Sequence, residues 1–222
     1  MKLSNTISAG DVIAVGDIHG RLDLLLQFLD WVQGSNAHVV FLGDMIDRGP
    51  DDLMVLELIK ALKDNPSDMG LAKVDVIRGN HEQMMLDASN SADDMLLWFQ
   101  NGGNRAQSKD IFAHRSWIKD LPFFKTIGDT LFVHAGIWPN VPMNEQDEDD
   151  LIWIRLPFLN NTGDLSKVFP DGSIKRVVHG HSPINPGKPD IGVNRIGIDS
   201  GAYFTGVLTA FNATENTFKQ FS

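Results

Sequence analysis

Five stretches carry side chains able to hold a metal ion, each directly after an apolar run. Val12–Val15 leads into Gly16-Asp17-Ile18-His19-Gly20, and Val39–Leu42 into Gly43-Asp44-Met45-Ile46-Asp47-Arg48-Gly49. Val74–Ile77 leads into Arg78-Gly79-Asn80-His81-Glu82, Leu131–Val133 into His134-Ala135-Gly136, and Arg176–Val178 into His179-Gly180-His181-Ser182-Pro183. Short apolar runs rich in Val and Phe read as interior strands. Open α/β sheets place their ligands beyond the carboxyl ends of such strands. Taken singly, Asp17 and Asp44 are equally turn residues, and Asn80 and His81 equally the cap of a following helix. Asp17 and His19 are two apart and would share one side of an extended chain. Together the stretches supply Asp17, His19, Asp44, Asn80, His134 and His181. Oxygen and imidazole donors without a thiol suit Mn, Fe or Zn. The set is too large for one catalytic zinc, which takes about three protein ligands. It suits two cations about 3.5–4 Å apart that share a carboxylate.

In this order, Gly-Asp-Ile-His-Gly, Gly-Asp-Met-Ile-Asp-Arg-Gly, Gly-Asn-His-Glu, His-Ala-Gly and Gly-His-Ser resemble the metallophosphoesterases. More narrowly, the chain is similar to the phosphoprotein phosphatase family in its short bacterial and bacteriophage lambda-type branch. The resemblance runs from about Val12 to Ala210. It implies an α/β fold in one domain over 1–222: a β-sandwich of two mixed sheets flanked by helices, in four layers α/β/β/α. It implies that Asp17, His19 and Asp44 hold a first metal. Asp44 would bridge to a second, completed by Asn80, His134 and His181. His81 would be the general acid, oriented by Asp47. Arg48, Arg78 and Arg155 would bind the phosphoryl oxygens. Broader phosphoesterases often carry Gly-His-x-His, whereas Pro183 stands at the last position here. That departure favours the phosphatase branch. His179 is an extra candidate, and His181 is preferred because it follows the glycine.

The implied reaction is hydrolysis of Ser/Thr phosphates, with Tyr also possible, on phosphorylated proteins or peptides. A metal-bridging hydroxide would attack directly, with manganese the expected metal and iron or zinc as alternatives. A dinucleoside polyphosphate hydrolase, such as one acting on diadenosine tetraphosphate, uses a related motif set. A non-catalytic phosphoesterase-fold scaffold is the third reading.

Elements must place these groups. Leu22, Leu25, Leu26, Leu29 and Val32 have helical spacing over Arg21–Gln33. Leu53, Leu56, Ile59 and Leu62 repeat it after Asp51, a candidate N-cap. The alternation predicts β-α-β units and a largely parallel first sheet. Glu82–Asp87 and Met95–Phe99 read as helices, the second capped through Ser91 and Asp94. Asn104–Asp120 reads as one more. Gly128-Asp129 reads as a hairpin turn. The acidic run Glu145–Asp150 lacks the spacing of an EF-hand loop and reads as a solvated face. Arg155 follows a short apolar stretch and equally reads as a surface cation. Asn160–Gly172 reads as a loop, and the segments at 195–199, 206–211 and 216–221 as closing antiparallel strands.

The totals narrow the classes. A formal charge of −10 disfavours nucleic acid, whose binding rests on Lys and Arg at phosphates. With no cysteine, cysteine-nucleophile chemistry and thiolate metal sites are excluded. Met1–Gly10 shows no signal pattern, and no apolar run is long enough for a membrane span. The expectation is a cytoplasmic enzyme with no membrane partner and no oligomeric state legible in the chain.

Overall fold

The structure is a computed structural model describing residues 6–161 and 163–222. The first five residues, part of the segment read for a signal pattern, and Thr162 of the expected loop lie outside the described residues. In chain order the first half holds β1 (Val12–Val15), α1 (Leu22–Val32), β2 (His38–Phe41), α2 (Asp52–Asp64) and β3 (Lys73–Val76). Helices α3 (Asn80–Asp87), α4 (Ala92–Gln100), α5 (Ser108–Phe112) and α6 (Arg115–Lys119) follow. The second half holds β4 (Phe124–Ile127), β5 (Thr130–Val133), α7 (Glu148–Trp153), α8 (Leu156–Leu159), β6 (Arg176–His179), β7 (Asp190–Ile191) and β8 (Arg195–Gly197). It closes with α9 (Ala202–Thr205), β9 (Leu208–Asn212) and β10 (Thr217–Phe221).

The strands form two mixed sheets, ordered β10-β9-β1-β2-β3 and β4-β5-β6-β8-β7. Side chains alternate across each strand. Ile13 and Val15 face the helical layer while Ala14 faces the other sheet; Val39 and Phe41 against Val40 do the same in β2. In the second sheet Leu131 and Val133 pack outward under α7 and α8, and Phe132 packs between the sheets. Burial on both faces is why these strands read as unbroken apolar runs. Parallel β1, β2 and β3 are in register, Val15 beside Phe41 and Phe41 beside Val76. Parallel β5 and β6 pair Val133 with His179. The chain therefore leaves each group of parallel strands along a common edge.

Three expectations change. Asn104–Asp120 is not one helix: i−3 hydrogen bonds at Ala113 and His114 tighten the chain, and α6 starts anew at Arg115. Strand β8 is not purely antiparallel. It runs parallel to β6 and antiparallel only to β7, while β9 and β10 join the first sheet as an antiparallel edge. Asp51 makes no side-chain cap; the Leu53 N–H is met instead by Gln107 Oε1 at 3.0 Å. The Ser91 cap does form, accepting the Asp94 N–H at 3.1 Å. Glu145 and Asp147–Asp149 are exposed, and Asp147 caps α7. Among the described residues, no helix is long and apolar enough to cross a membrane.

Candidate active site

The loop after β2 carries Asp44, and its carboxylate lies between two groups of histidines. Oδ2 is 3.5 Å from His19 Nε2 and 3.9 Å from His81 Nε2. Oδ1 is 3.4 Å from His134 Nε2 and accepts the His81 backbone N–H at 3.0 Å. Asn80 Oδ1 lies 2.9 Å from both His134 Nε2 and His181 Nδ1. Asp17 accepts the His181 backbone N–H, 3.1 Å from each oxygen. All six expected ligands are buried.

Backbone carbonyls orient two of the rings. His19 Nδ1 is 2.9 Å from Ile46 O, and His134 Nδ1 is 2.8 Å from Leu42 O. A carbonyl only accepts, so each Nδ1 carries the proton and each Nε2 is directed at Asp44. The positions are held at a conformational cost. His19, Asp44, Asp47, Arg48 and His181 all have positive φ, at 48°, 48°, 71°, 71° and 63°. Such backbone costs about 1–3 kcal/mol per residue and gathers at functional sites. His19 is therefore not extended, and its Nε2 lies near Asp44. Two glycines allow the close approach: a Cβ on Gly79 would collide with Asp44 Oδ1, and one on Gly180 with Asp17 Oδ1.

His81 sits beside this group. Its Nδ1 is 2.7 Å from Asp47 Oδ2, and its buried Nε2 has no hydrogen-bond partner among the described residues. The arginines fare differently. Arg48 is exposed, donates from Nη1 to His19 Nε2 at 3.0 Å and lies 5.0 Å over the Tyr203 ring. Arg155 donates to His181 O and Ser182 Oγ, both at 3.0 Å, which draws it onto the last ligand loop. Arg78 donates to Gln83 Oε1 at 2.9 Å and to the carbonyls of Lys119 and Leu121, while its buried Nε has no partner among the described residues. His179 is buried behind the site, edge-on to Phe158 at 5.1 Å, with Nδ1 3.0 Å from Gly180 O.

Electrostatics describe a site short of positive charge. Burial pushes the Asp17 carboxyl well up, reinforced by Asp199 and Asp44. Burial also acts upward on Asp44, but His134, His81 and His19 hold it well below the usual carboxylate range. Burial presses His134 down, yet Asp44 and Asp17 raise it to about 10. Burial drops His19 to about 3 and His181 to about 2, with neighbouring cations adding to the effect. These histidines stand among several buried carboxylates: Asp17, Asp44, Asp47, Glu82 and Asp199. Among the described residues no lysine is buried, and Arg78 is the one buried arginine. Neutral imidazole nitrogens, an amide oxygen and carboxylates in excess of cations are the donor set of divalent metal sites. Two groups of ligand atoms, His19–Asp44–His81 and Asp44–His134–His181, each lie within 4.8 Å. They share Asp44, so the residues fit a dinuclear centre. Asp17 falls outside both groups.

The family model of the calcineurin-like phosphoesterases matches residues 10–206. The chain belongs to the calcineurin-like phosphoesterases. This phosphoesterase is 30% identical to serine/threonine-protein phosphatase 1 of Salmonella typhimurium over 215 residues, 89% of each chain. It is 31% identical to the symmetrical bis(5'-nucleosyl)-tetraphosphatase of Buchnera aphidicola over 133 residues, 56% of this chain and 43% of that protein. Among solved structures, one provisionally assigned as a diadenosine tetraphosphatase superposes with a TM-score of 0.67 at 25% identity, covering 96% and 93% of the two chains. The cold-active protein-tyrosine phosphatase of a psychrophilic Shewanella shares the fold, with a TM-score of 0.67 at 20% identity and coverage of 100% and 86%.

Several residues of the phosphoesterase site were not singled out by sequence. Glu82 accepts the backbone N–H groups of Asp44, Met45 and Gly79 at 2.8–2.9 Å and so ties two ligand loops together. Trp98 donates from Nε1 to both oxygens of Asp47, at 3.0 and 2.9 Å. Tyr203 stands edge-on to His19 at 5.4 Å. Burial and Asp44, resisted by the Gly201 N–H, raise Asp199 to about 6. Asp199 was legible: Ile196-Gly197-Ile198 precedes it, the same strand-then-acid signature as Asp44.

Proposed function

We propose that the phosphoesterase hydrolyses phosphate monoesters on phosphorylated proteins or peptides, Ser/Thr first and Tyr also accepted. The observation that carries this reading is Asp44 between two ligand groups, with the His81–Asp47 pair beside them. In this proposal Asp17, His19 and Asp44 hold one divalent ion, and Asp44, Asn80, His134 and His181 the other. Manganese is the preferred ion, with iron or zinc as substitutes. When bound, the ions supply Lewis acidity and a water acidified to near neutrality.

The chain's own groups do the rest. Arg48 and Arg155 place guanidinium charge beside His19 and His181, where equatorial phosphoryl oxygens need it. Arg78, whose buried Nε has no hydrogen-bond partner among the described residues, is the third such cation. His81, oriented from Nδ1 by Asp47, gives its Nε2 proton to the leaving alkoxide. The match to the Salmonella phosphatase over most of both chains supports a protein substrate. The tetraphosphatase relatives support a second reading, hydrolysis of a dinucleoside polyphosphate. A scaffold without catalysis would leave the buried nitrogens of His81 and His181 unused. A cytoplasmic setting and the absence of a nucleic-acid or membrane partner belong to the same proposal.

The test is a panel assay on manganese-loaded protein, with phosphoserine, phosphothreonine and phosphotyrosine peptides set against diadenosine tetraphosphate. Higher kcat/KM on the peptides is expected. Turnover confined to the dinucleotide would replace this reading with the second one.

A further inference from the structure

Asp47 and Arg48 are consecutive residues at positive φ, both at 71°. Besides His81, His19 and Tyr203, this pair is held by α4 and the turn that follows it. Trp98 donates its indole N–H to both Asp47 oxygens, and the Arg48 N–H is accepted by Gly102 O at 2.9 Å. The surroundings are shaped to keep the indole there. Trp98 is fully buried, stacked on Phe99 at 5.2 Å and edge-on to Phe112 at 5.3 Å. Gly103 lies flat against it, since a Cβ there would come within 2.8 Å of the ring atoms. A Cβ on Gly102 would come within 2.7 Å of the Arg48 side chain. A buried indole N–H needs an acceptor, and the one it finds here is the carboxylate that orients His81.

An indole N–H can donate but never accept. It therefore fixes Asp47 as an acceptor on that side and keeps Oδ2 turned to His81 Nδ1 at 2.7 Å. The proton on Nδ1 is then committed to Asp47, and His81 Nε2 faces the site. We propose that Trp98 is a positioning residue for the reaction: through Asp47 it holds His81 in the orientation that delivers the leaving-group proton. This inference rests on the reading of His81 as the general acid.

The experiment compares Trp98→Phe with the parent on a phosphoserine peptide and on p-nitrophenyl phosphate, both with manganese. A second variant carries 3-benzothienylalanine at position 98, which keeps the bicyclic shape and lacks the N–H. The expected result is a fall of about 10-fold or more in kcat on the peptide, a much smaller fall on the aryl ester, and little change in KM. In an Asp47→Asn background, Trp98→Phe should add nothing further, because the two act as one unit. Independently of turnover, the 15N indole resonance of Trp98 should shift on Asp47→Asn. Equal losses on both substrates, unchanged kcat, or full additivity with Asp47→Asn would overturn the inference. His81→Asn run in parallel separates the two claims. If it lacks leaving-group dependence, the acid reading falls and the inference with it. If it keeps that dependence while both position-98 variants are unselective, the inference alone falls.

Discussion

Asp44 Oδ2 lies 3.5 Å from His19 Nε2, and Asp44 Oδ1 lies 3.4 Å from His134 Nε2. One carboxylate therefore addresses ligands from β1 and from β5, which belong to different sheets. The two halves of the sandwich meet chemically at this residue. Its φ of 48° and its backbone bond to Glu82 show how firmly the loop is set for the task.

Cations should stabilise the fold as well as enable catalysis. Buried Asp17, Asp44 and Asp199 repel one another when no ion is present. Chelation should abolish turnover and lower Tm, and manganese should restore both. A ligand at a hundredfold excess over its Kd contributes about 2.7 kcal/mol. Differential scanning calorimetry with and without manganese checks this. An unchanged Tm would detach the buried carboxylates from metal binding.

His81→Asn should slow hydrolysis of phosphoserine peptide by about 10²–10⁴-fold. An aryl phosphate, whose leaving group needs little proton help, should lose much less. Steady-state kinetics on the two substrates decide it, and equal losses would remove His81 from the acid role.

Tyr203 supports Arg48 with its ring rather than its hydroxyl, given the guanidinium 5.0 Å above the ring centroid. Tyr203→Phe should leave phosphate binding intact. Tyr203→Ala should weaken it by about 2- to 30-fold, the range of a cation–π contact. Calorimetric titration of orthophosphate into the manganese-loaded protein gives the answer. Equal effects of Phe and Ala would shift the role to the hydroxyl.

Strand exits and their ligand-type residues were legible because apolar runs and chain order are local properties. The partners that orient those ligands were not. Trp98 lies 51 residues from Asp47 and, by spacing, is one apolar residue among several in α4. The bonds from Arg78 Nη2 to the carbonyls of Lys119 and Leu121 are likewise a tertiary event. The positive φ of His19 is set by the surrounding fold and could not be read from the Asp17–His19 spacing. The split at His114 and the parallel β6–β8 pairing likewise depend on contacts that no local pattern encodes.

Asp52, at the start of α2, is buried with neither oxygen in a hydrogen bond of ordinary geometry. Burial and then Asp47 push its carboxyl up to about 7, partly offset by the Asp47 backbone N–H. Its folded value lies above its unfolded one. The stability it contributes is complete below the unfolded carboxylate value and is lost as pH rises through about 7. Asp52→Asn should therefore gain Tm relative to the parent as pH rises from about 5 to about 8.5. Thermal melts across that range test it, and a pH-independent difference would show Asp52 already ionised.

The shared carboxylate is best tested by anomalous diffraction at the manganese edge from crystals grown with the metal. The account predicts two peaks about 3.5–4 Å apart, with Asp44 touching both, His19 at one and Asn80, His134 and His181 at the other. A single peak, or two peaks with Asp44 bound to neither, would contradict it.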